Sequence, residues 1–132
     1  MMHGFRGPEN LRPSAHSIVI PRGGRLRLVC TWKAPHLERL AAYAPSETLR
    51  YFALVREPEN EADSNALQVS DQVGPMGYLH GSVARWLARP LDQILEPVIV
   101  EGFVWRGGAY VGIAGRNTVL RFLRGYSAAG AQ

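Results

Sequence analysis

Residues 56–91 read REPENEADSNALQVSDQVGPMGYLHGSVARWLARPL, and this stretch decides how the rest of the 132-residue chain is read. It sets an acidic, turn-forming loop between two apolar strands and follows them with a Gly77-Tyr78 step into a short helix. Arg56, Glu57, Asn60, Glu61, Asp63 and Asn65 crowd into ten positions, with Val55 before them and Ala66-Leu67 after. An ordinary surface hairpin needs about two to five turn residues and no such set of hydrogen-bonding groups. The loop holds something, or is itself built into a special shape.

Working outward, residues 49–55 (LRYFALV) read as a strand with Leu49, Tyr51, Ala53 and Val55 on one face and Arg50, Phe52 and Leu54 on the other. Residues 66–69 give the next strand, and a turn from Asp71 to Gly74 leads into Met76-Gly77-Tyr78-Leu79. Ser82 is a good cap for a helix starting at Val83, whose apolar stripe is Val83, Trp86 and Leu87, while Arg85 and Arg89 face out. Pro90 ends or bends that helix. Residues 97–105 and 109–114 form a hairpin around Arg106-Gly107-Gly108, across which Trp105 and Tyr110 face each other as packing residues. Residues 119–123 supply a last strand.

Upstream, Gly24 releases residues 25–32 (RLRLVCTW) as a strand, and residues 36–43 carry Leu37, Leu40 and Ala41 at helical spacing until Pro45 stops them. Pro8, Pro13, Pro21 and Gly23-Gly24 break up the first 24 residues, leaving residues 17–20 as a short extended piece. About six short strands, one clear helix and no parallel βαβ alternation define a mainly β chain, a small antiparallel barrel or curled sheet with one or two short helices. The expected organisation is a basic, Pro/Gly-rich arm over 1–24, a domain over 25–124 and a flexible tail over 125–132.

Composition narrows the function classes. The length fits one domain, and 46% hydrophobic residues suffice for a core. The single cysteine, Cys30, excludes an internal disulfide framework and any multi-cysteine zinc site; it reads as a buried structural thiol and fits a reducing cytoplasm. No stretch approaches the roughly 18 apolar residues of a membrane span, and the N-terminus has no apolar signal region, so the expected location is cytoplasmic. His3, His16, His36 and His80 are scattered without ligand spacing, and no metal or other cofactor is expected. The formal charge of +4 sits entirely in residues 1–27, where Arg6, Arg12, Arg22, Arg25 and Arg27 face only Glu9. Such an arm adds sequence-independent phosphate affinity or is a solvated leader. The one lysine, Lys33, stands in no phosphate-loop context, no nucleophile–base arrangement is visible, and no catalysis is expected.

The pattern Arg56-Glu57-Pro58, Asn60, Asp63, Asn65-Ala66-Leu67, Val69 and then Gly77-Tyr78-Leu79 resembles the HIRAN domain, a module at the N-terminus of some DNA-repair helicase-like proteins that bacteria also carry as a short standalone protein. The match is firm over residues 49–92 and extends over 26–124. The resemblance implies an OB-like barrel with helical insertions and a pocket for the 3′ end of single-stranded DNA. By the same resemblance, Asp63 stands where the family accepts a hydrogen bond from the 3′-hydroxyl, Asn60 is a polar neighbour, and Tyr78 falls at a pocket position. Arg56 and Lys33, with Arg50, are the basic side chains available near the loop. Family members that bind 3′ ends carry an aromatic directly before the aspartate, where this chain has Ala62; Trp32, Tyr51 and Phe52 are the candidate replacements for that stacking wall.

Structural readings stand beside these. Asp63 and Asn65 also suit caps of turn N–H groups, Arg56 and Glu57 a local ion pair, and Trp86 the core. The function expected is a noncatalytic DNA-binding module for single strands or their 3′ ends, serving repair, replication or defence against mobile elements. The alternative is an adaptor that recruits a helicase or nuclease.

Overall fold

The computed structural model describes residues 11–43 and 48–130. The part of the arm over residues 1–10, with Pro8, and the expected helix stop at Pro45 lie outside them. In chain order the elements are β1 (Ile18–Val19), β2 (Gly24–Arg27), α1 (Ala34–Ala41), β3 (Arg50–Arg56), β4 (Leu67–Ser70), β5 (Pro75–Tyr78), α2 (Gly81–Leu91), β6 (Val98–Trp105), β7 (Gly108–Ile113) and α3 (Arg116–Gly130).

Six strands form one antiparallel path in the order β2-β7-β6-β3-β4-β5. The path curls until its ends meet. Just past β2, Val29 and β5 residue Tyr78 exchange both backbone hydrogen bonds, at 2.9 and 3.0 Å. That bridge draws the sheet into a small, curled, OB-like barrel. It depends on Gly77, because a Cβ there would come within 2.9 Å of the Val29 carbonyl oxygen. Phe52, Leu67, Val69, Met76, Leu87, Val100 and Val111 fill the interior. The helix α2 contributes its Leu87-Ala88 face to this core, and Val119 and Leu123 of α3 join the same cluster. Among the described residues no helix is long and apolar enough to cross a membrane.

The β6–β7 hairpin is present as expected, but its turn is two residues, Arg106-Gly107, rather than three, because Gly108 joins β7. Arg106 and Gly107 both have positive φ, 49° and 76°, which matches the right-handed twist of the flanking strands. Its register differs from the expectation, since Trp105 pairs with Gly108 while Tyr110 pairs with Phe103 and stacks on it at 5.2 Å.

Several elements depart from the sequence reading. Residues 119–123 are not a strand but the middle of α3, which runs on through Gly130. The run VLRFL fits either period; a strand would put Arg121 on the core face with Val119 and Leu123, whereas the helix buries those two and leaves Arg121 exposed. The helix α2 is capped by His80 rather than Ser82, two residues earlier than expected; His80 Nδ1 accepts from the Ser82 N–H at 3.1 Å. Its Trp86 is half-buried against the core. The strand expected over 25–32 stops at Arg27, because Cys30 takes a left-handed φ of 60° and turns the chain into α1. His36 holds that turn, its Nδ1–H donating to the Cys30 carbonyl at 2.6 Å. On α1 it is therefore His36, not Leu37, that is buried beside Leu40.

The segment placed in the arm reaches into the barrel. Ile18 and Val19 pair in parallel with Val98 and Ile99, and the Ala114 N–H donates to the Pro21 carbonyl at 2.8 Å. Ile18 and Ile20 are core residues.

Candidate nucleic-acid interface

The loop between β3 and β4 builds itself from the side chains that crowd it. Asn60 Oδ1 accepts from the N–H groups of Ala62 and Asp63 at 2.9 and 3.1 Å, and Asp63 Oδ1 accepts from the Asn65 N–H at 2.8 Å. These are nested Asx turns, which satisfy N–H groups that no ladder reaches. Backbone bonds from Asn60 to Glu57 and from Ala66 to Asp63 close the loop at 3.1 and 3.0 Å.

Arg56 locks the loop from behind. It forms a two-pronged pair with Asp92, just past α2, at 2.7 and 3.1 Å and donates to the Ser64 carbonyl at 2.8 Å. The hydrogen bond to Arg56 holds the Asp92 carboxyl below its usual range. Arg56 does not pair with Glu57. That carboxylate instead accepts from Asn60 Nδ2 at 3.0 Å, Tyr78 Oη at 2.8 Å and Gln68 Nε2 at 2.7 Å. Burial, and then the bond to Glu57, push the Tyr78 phenol above its ordinary value, so it is a neutral donor.

In front of the loop lies a cavity of about 180 Å³ whose wall includes Cys30, Lys33, Asn60, Ala62, Asp63 and Tyr78. The Lys33 ammonium sits 5.9 Å above the Tyr78 ring, a cation–π distance. Asp63 Oδ2 has no hydrogen-bond partner among the described residues. The cavity thus offers a carboxylate oxygen, an ammonium and an aromatic wall within one concavity. Among the described residues no group of three or more His, Cys, Asp or Glu is gathered to hold a metal ion.

Of the residues singled out in the sequence, Lys33, Asn60, Asp63 and Tyr78 share this cavity. Trp32, 71% exposed, precedes Lys33 on the turn beside it. Arg56 braces the loop instead of facing the cavity. Phe52, 1% exposed, is a core residue and does not replace the missing stacking wall, and Tyr51 opposes Glu101 in the sheet, away from the cavity lining. Cys30 is half-buried at the cavity, where a fully buried thiol was expected.

Sequence reasoning missed the hub role of Glu57, because its partners Gln68 and Tyr78 lie 11 and 21 residues away. It also missed Asp71. This carboxylate is buried in the β4–β5 turn, where it binds Arg39 at 2.7 Å and Tyr43 at 2.8 Å and caps the N–H groups of Val73 and Gly74.

Barrel, loop and cavity define the class as a small single-barrel domain with a polar pocket where the β3–β4 loop meets the closing bridge. Within that class the chain belongs to the HIRAN domain family, whose model matches residues 47–114, just over half of the sequence. It is also similar to the crystal structure of the HIRAN domain of human HLTF, at 22% identity and a TM-score of 0.44, over 79% of this chain and 87% of that one. No curated protein matches the sequence at a significant level.

Proposed function

We propose that this domain is a noncatalytic DNA-binding module that takes the 3′ end of a single strand into the cavity beside the β3–β4 loop. The observation that carries the reading is that Asp63, whose Oδ2 has no hydrogen-bond partner among the described residues, lines a cavity that Lys33 also lines. A terminal 3′-hydroxyl is a donor that such an oxygen accepts, and the adjoining phosphate suits the ammonium. The exposed Trp32 gives a face on which the last base stacks, in place of the aromatic missing at Ala62. Asn60, Glu57 and Arg56 act as positioning residues that hold Asp63 in place.

Fluorescence anisotropy with matched 3′-hydroxyl and 3′-phosphate oligonucleotides tests this. The wild type prefers the hydroxyl, because a terminal phosphate removes the donor and sets negative charge against Asp63. Asp63→Ala loses about 1.5–3 kcal/mol of that preference, the range for a hydrogen bond to a charged group. Ala62→Tyr tightens binding by about 1–3 kcal/mol if a stacking wall is what the pocket lacks. Equal binding of both oligonucleotides by the wild type ends the 3′-end reading and favours an adaptor role.

We further propose that the folding unit begins near Ser17, with only the residues before it acting as an arm. Deleting residues 1–13 removes Arg6 and Arg12 but spares Ile18 and Ile20. If those arginines touch phosphate, the salt dependence of binding flattens by about 0.7 log units of slope per lost contact. An unchanged slope assigns no phosphate contact to the arm.

A further inference from the structure

Beyond residue 27 the chain is neutral only as a sum. Residues 28–71 carry four basic and seven acidic side chains, whereas residues 72–132 carry six basic and three acidic ones. The acidic half includes the β3–β4 loop, where Glu57, Glu59, Glu61 and Asp63 stand close together in the chain. Lys33 is the one cation on the wall of the cavity beside it. A polyanion brought to that loop meets four carboxylates, so its attraction has to come from another surface.

The basic half contains α2 and α3, which pack against each other. Ala84, Leu87, Ala88 and Leu91 turn one side of α2 to the core, and Arg85 and Arg89, four apart, lie exposed away from it. On α3, Val119 and Leu123 are buried, while Arg121 and Arg124, three apart, are exposed. The two faces meet at a groove of about 260 Å³, lined by Pro90 and Gln93 on one side and by Leu120, Leu123 and Arg124 on the other. Gln93 lies four residues past Arg89, and Arg124 three past Arg121, so the arginines flank this groove.

Among the described residues none of these four arginines forms an ion pair. The three acids of this half are engaged with other groups: Asp92 with Arg56, Glu101 with Arg22, and Glu96 with the Tyr126 hydroxyl. From residue 102 to the end the sequence holds no acid. Phe122, 38% exposed, is the one exposed large apolar side chain of the two helices among the described residues, and two residues from Arg124 it lies off the arginine face. A protein interface is built round an apolar centre, whereas a surface for nucleic acid is polar and positive.

We propose that the adjoining outer faces of α2 and α3 bind the phosphate backbone of DNA, without regard to sequence or to strand ends. Arginine suits the task, because its planar fork donates two N–H groups to one phosphate and its charge does not titrate. Each contact releases counterions, which makes the attraction steep in salt. This surface acts whether or not the loop cavity takes a 3′ end. It supplies affinity, and the cavity supplies discrimination.

The test uses the full chain and two probes without ends, a circular oligothymidylate and a covalently closed duplex dumbbell. Fluorescence anisotropy over a salt series compares the wild type with Arg85→Gln/Arg121→Gln/Arg124→Gln and with Arg85→Lys/Arg121→Lys/Arg124→Lys. Arg89 is left in place because it also attracts Asp92, through which Arg56 braces the loop. The wild type binds at least one probe, and which one tells whether single or double strands are taken. The glutamine variant binds that probe about tenfold more weakly or worse, with a salt slope lower by about 2 log units for three lost contacts. The lysine variant keeps the slope, since each charge is kept. Both variants keep the thermal midpoint and whatever preference the wild type shows between 3′-hydroxyl and 3′-phosphate oligonucleotides, so the loss is not one of fold or of the cavity. No binding of either closed probe by the wild type, or a glutamine variant with wild-type affinity and slope, overturns the proposal and leaves the 3′-end reading standing. Polyglutamate that displaces the probe at a lower concentration than an oligonucleotide of equal charge also overturns it, in favour of an acidic protein partner.

Discussion

Replacing Asp71 with alanine lowers the stability of the domain by about 3–5 kcal/mol, the cost of removing one partner from a buried ion pair. Asp71 is 8% exposed and is bound on every side. The substitution strands the Arg39 guanidinium, the Tyr43 hydroxyl and the N–H groups of Val73 and Gly74 together. Because Arg39 and Tyr43 belong to α1 and the turn just after it, the carboxylate also ties that helix to the β4–β5 hairpin. Urea denaturation of the wild type, Asp71→Ala and Asp71→Asn measures the effect, and a loss under about 1 kcal/mol for alanine would show the pair to be dispensable.

The same group predicts a pH dependence. Burial pushes the Asp71 carboxyl up, but Arg39, the Gly74 and Val73 N–H groups and Tyr43 outweigh it and hold the carboxyl below its ordinary 3.8. Burial and the bond to Asp71 raise the Tyr43 phenol well above its usual range, so it remains a donor throughout. A carboxyl depressed on folding contributes stability that is fully present above its unfolded value. That contribution disappears as the pH falls from about 3.8 through the depressed folded value. The acid limb of the stability curve is therefore less steep in Asp71→Asn, and identical limbs in the two proteins would rule out this assignment.

Ile20→Ala costs about 2–5 kcal/mol, the range for truncating a fully buried isoleucine. Ile20 is 1% exposed, and its N–H donates to the Ile99 carbonyl at 2.9 Å. Substitutions before Ser17 have no comparable effect on stability. Thermal or urea unfolding decides the matter, and a loss for Ile20→Ala no larger than that of a surface substitution would move the start of the folding unit back towards Arg25.

Much of this protein was legible in its sequence because the relevant forces are local. Alternating apolar residues gave β3 and β4, the Arg106-Gly107 turn gave the last hairpin, and the crowded loop of residues 56–65 announced itself by composition. Asn60, Asp63, Tyr78 and Lys33 were named before the structure brought them to one cavity. The local signal failed where two periods fit the same letters, as in α3, and where an exception to a rule was needed, as at the left-handed Cys30.

What only the tertiary structure decided is held by partners far apart in the chain. The bridge from Val29 to Tyr78 closes the barrel, Glu57 gathers Gln68 and Tyr78, and Asp71 gathers Arg39 and Tyr43. The apparent basic arm became three arginines laid along β2, two of them over aromatic rings from β6 and β7 more than 75 residues later. A sequence reports the preference of each residue for its neighbours in the chain. Which buried charge is paired, and which ring lies under which guanidinium, follows from strand order and register, and these are set by closure of the sheet as a whole.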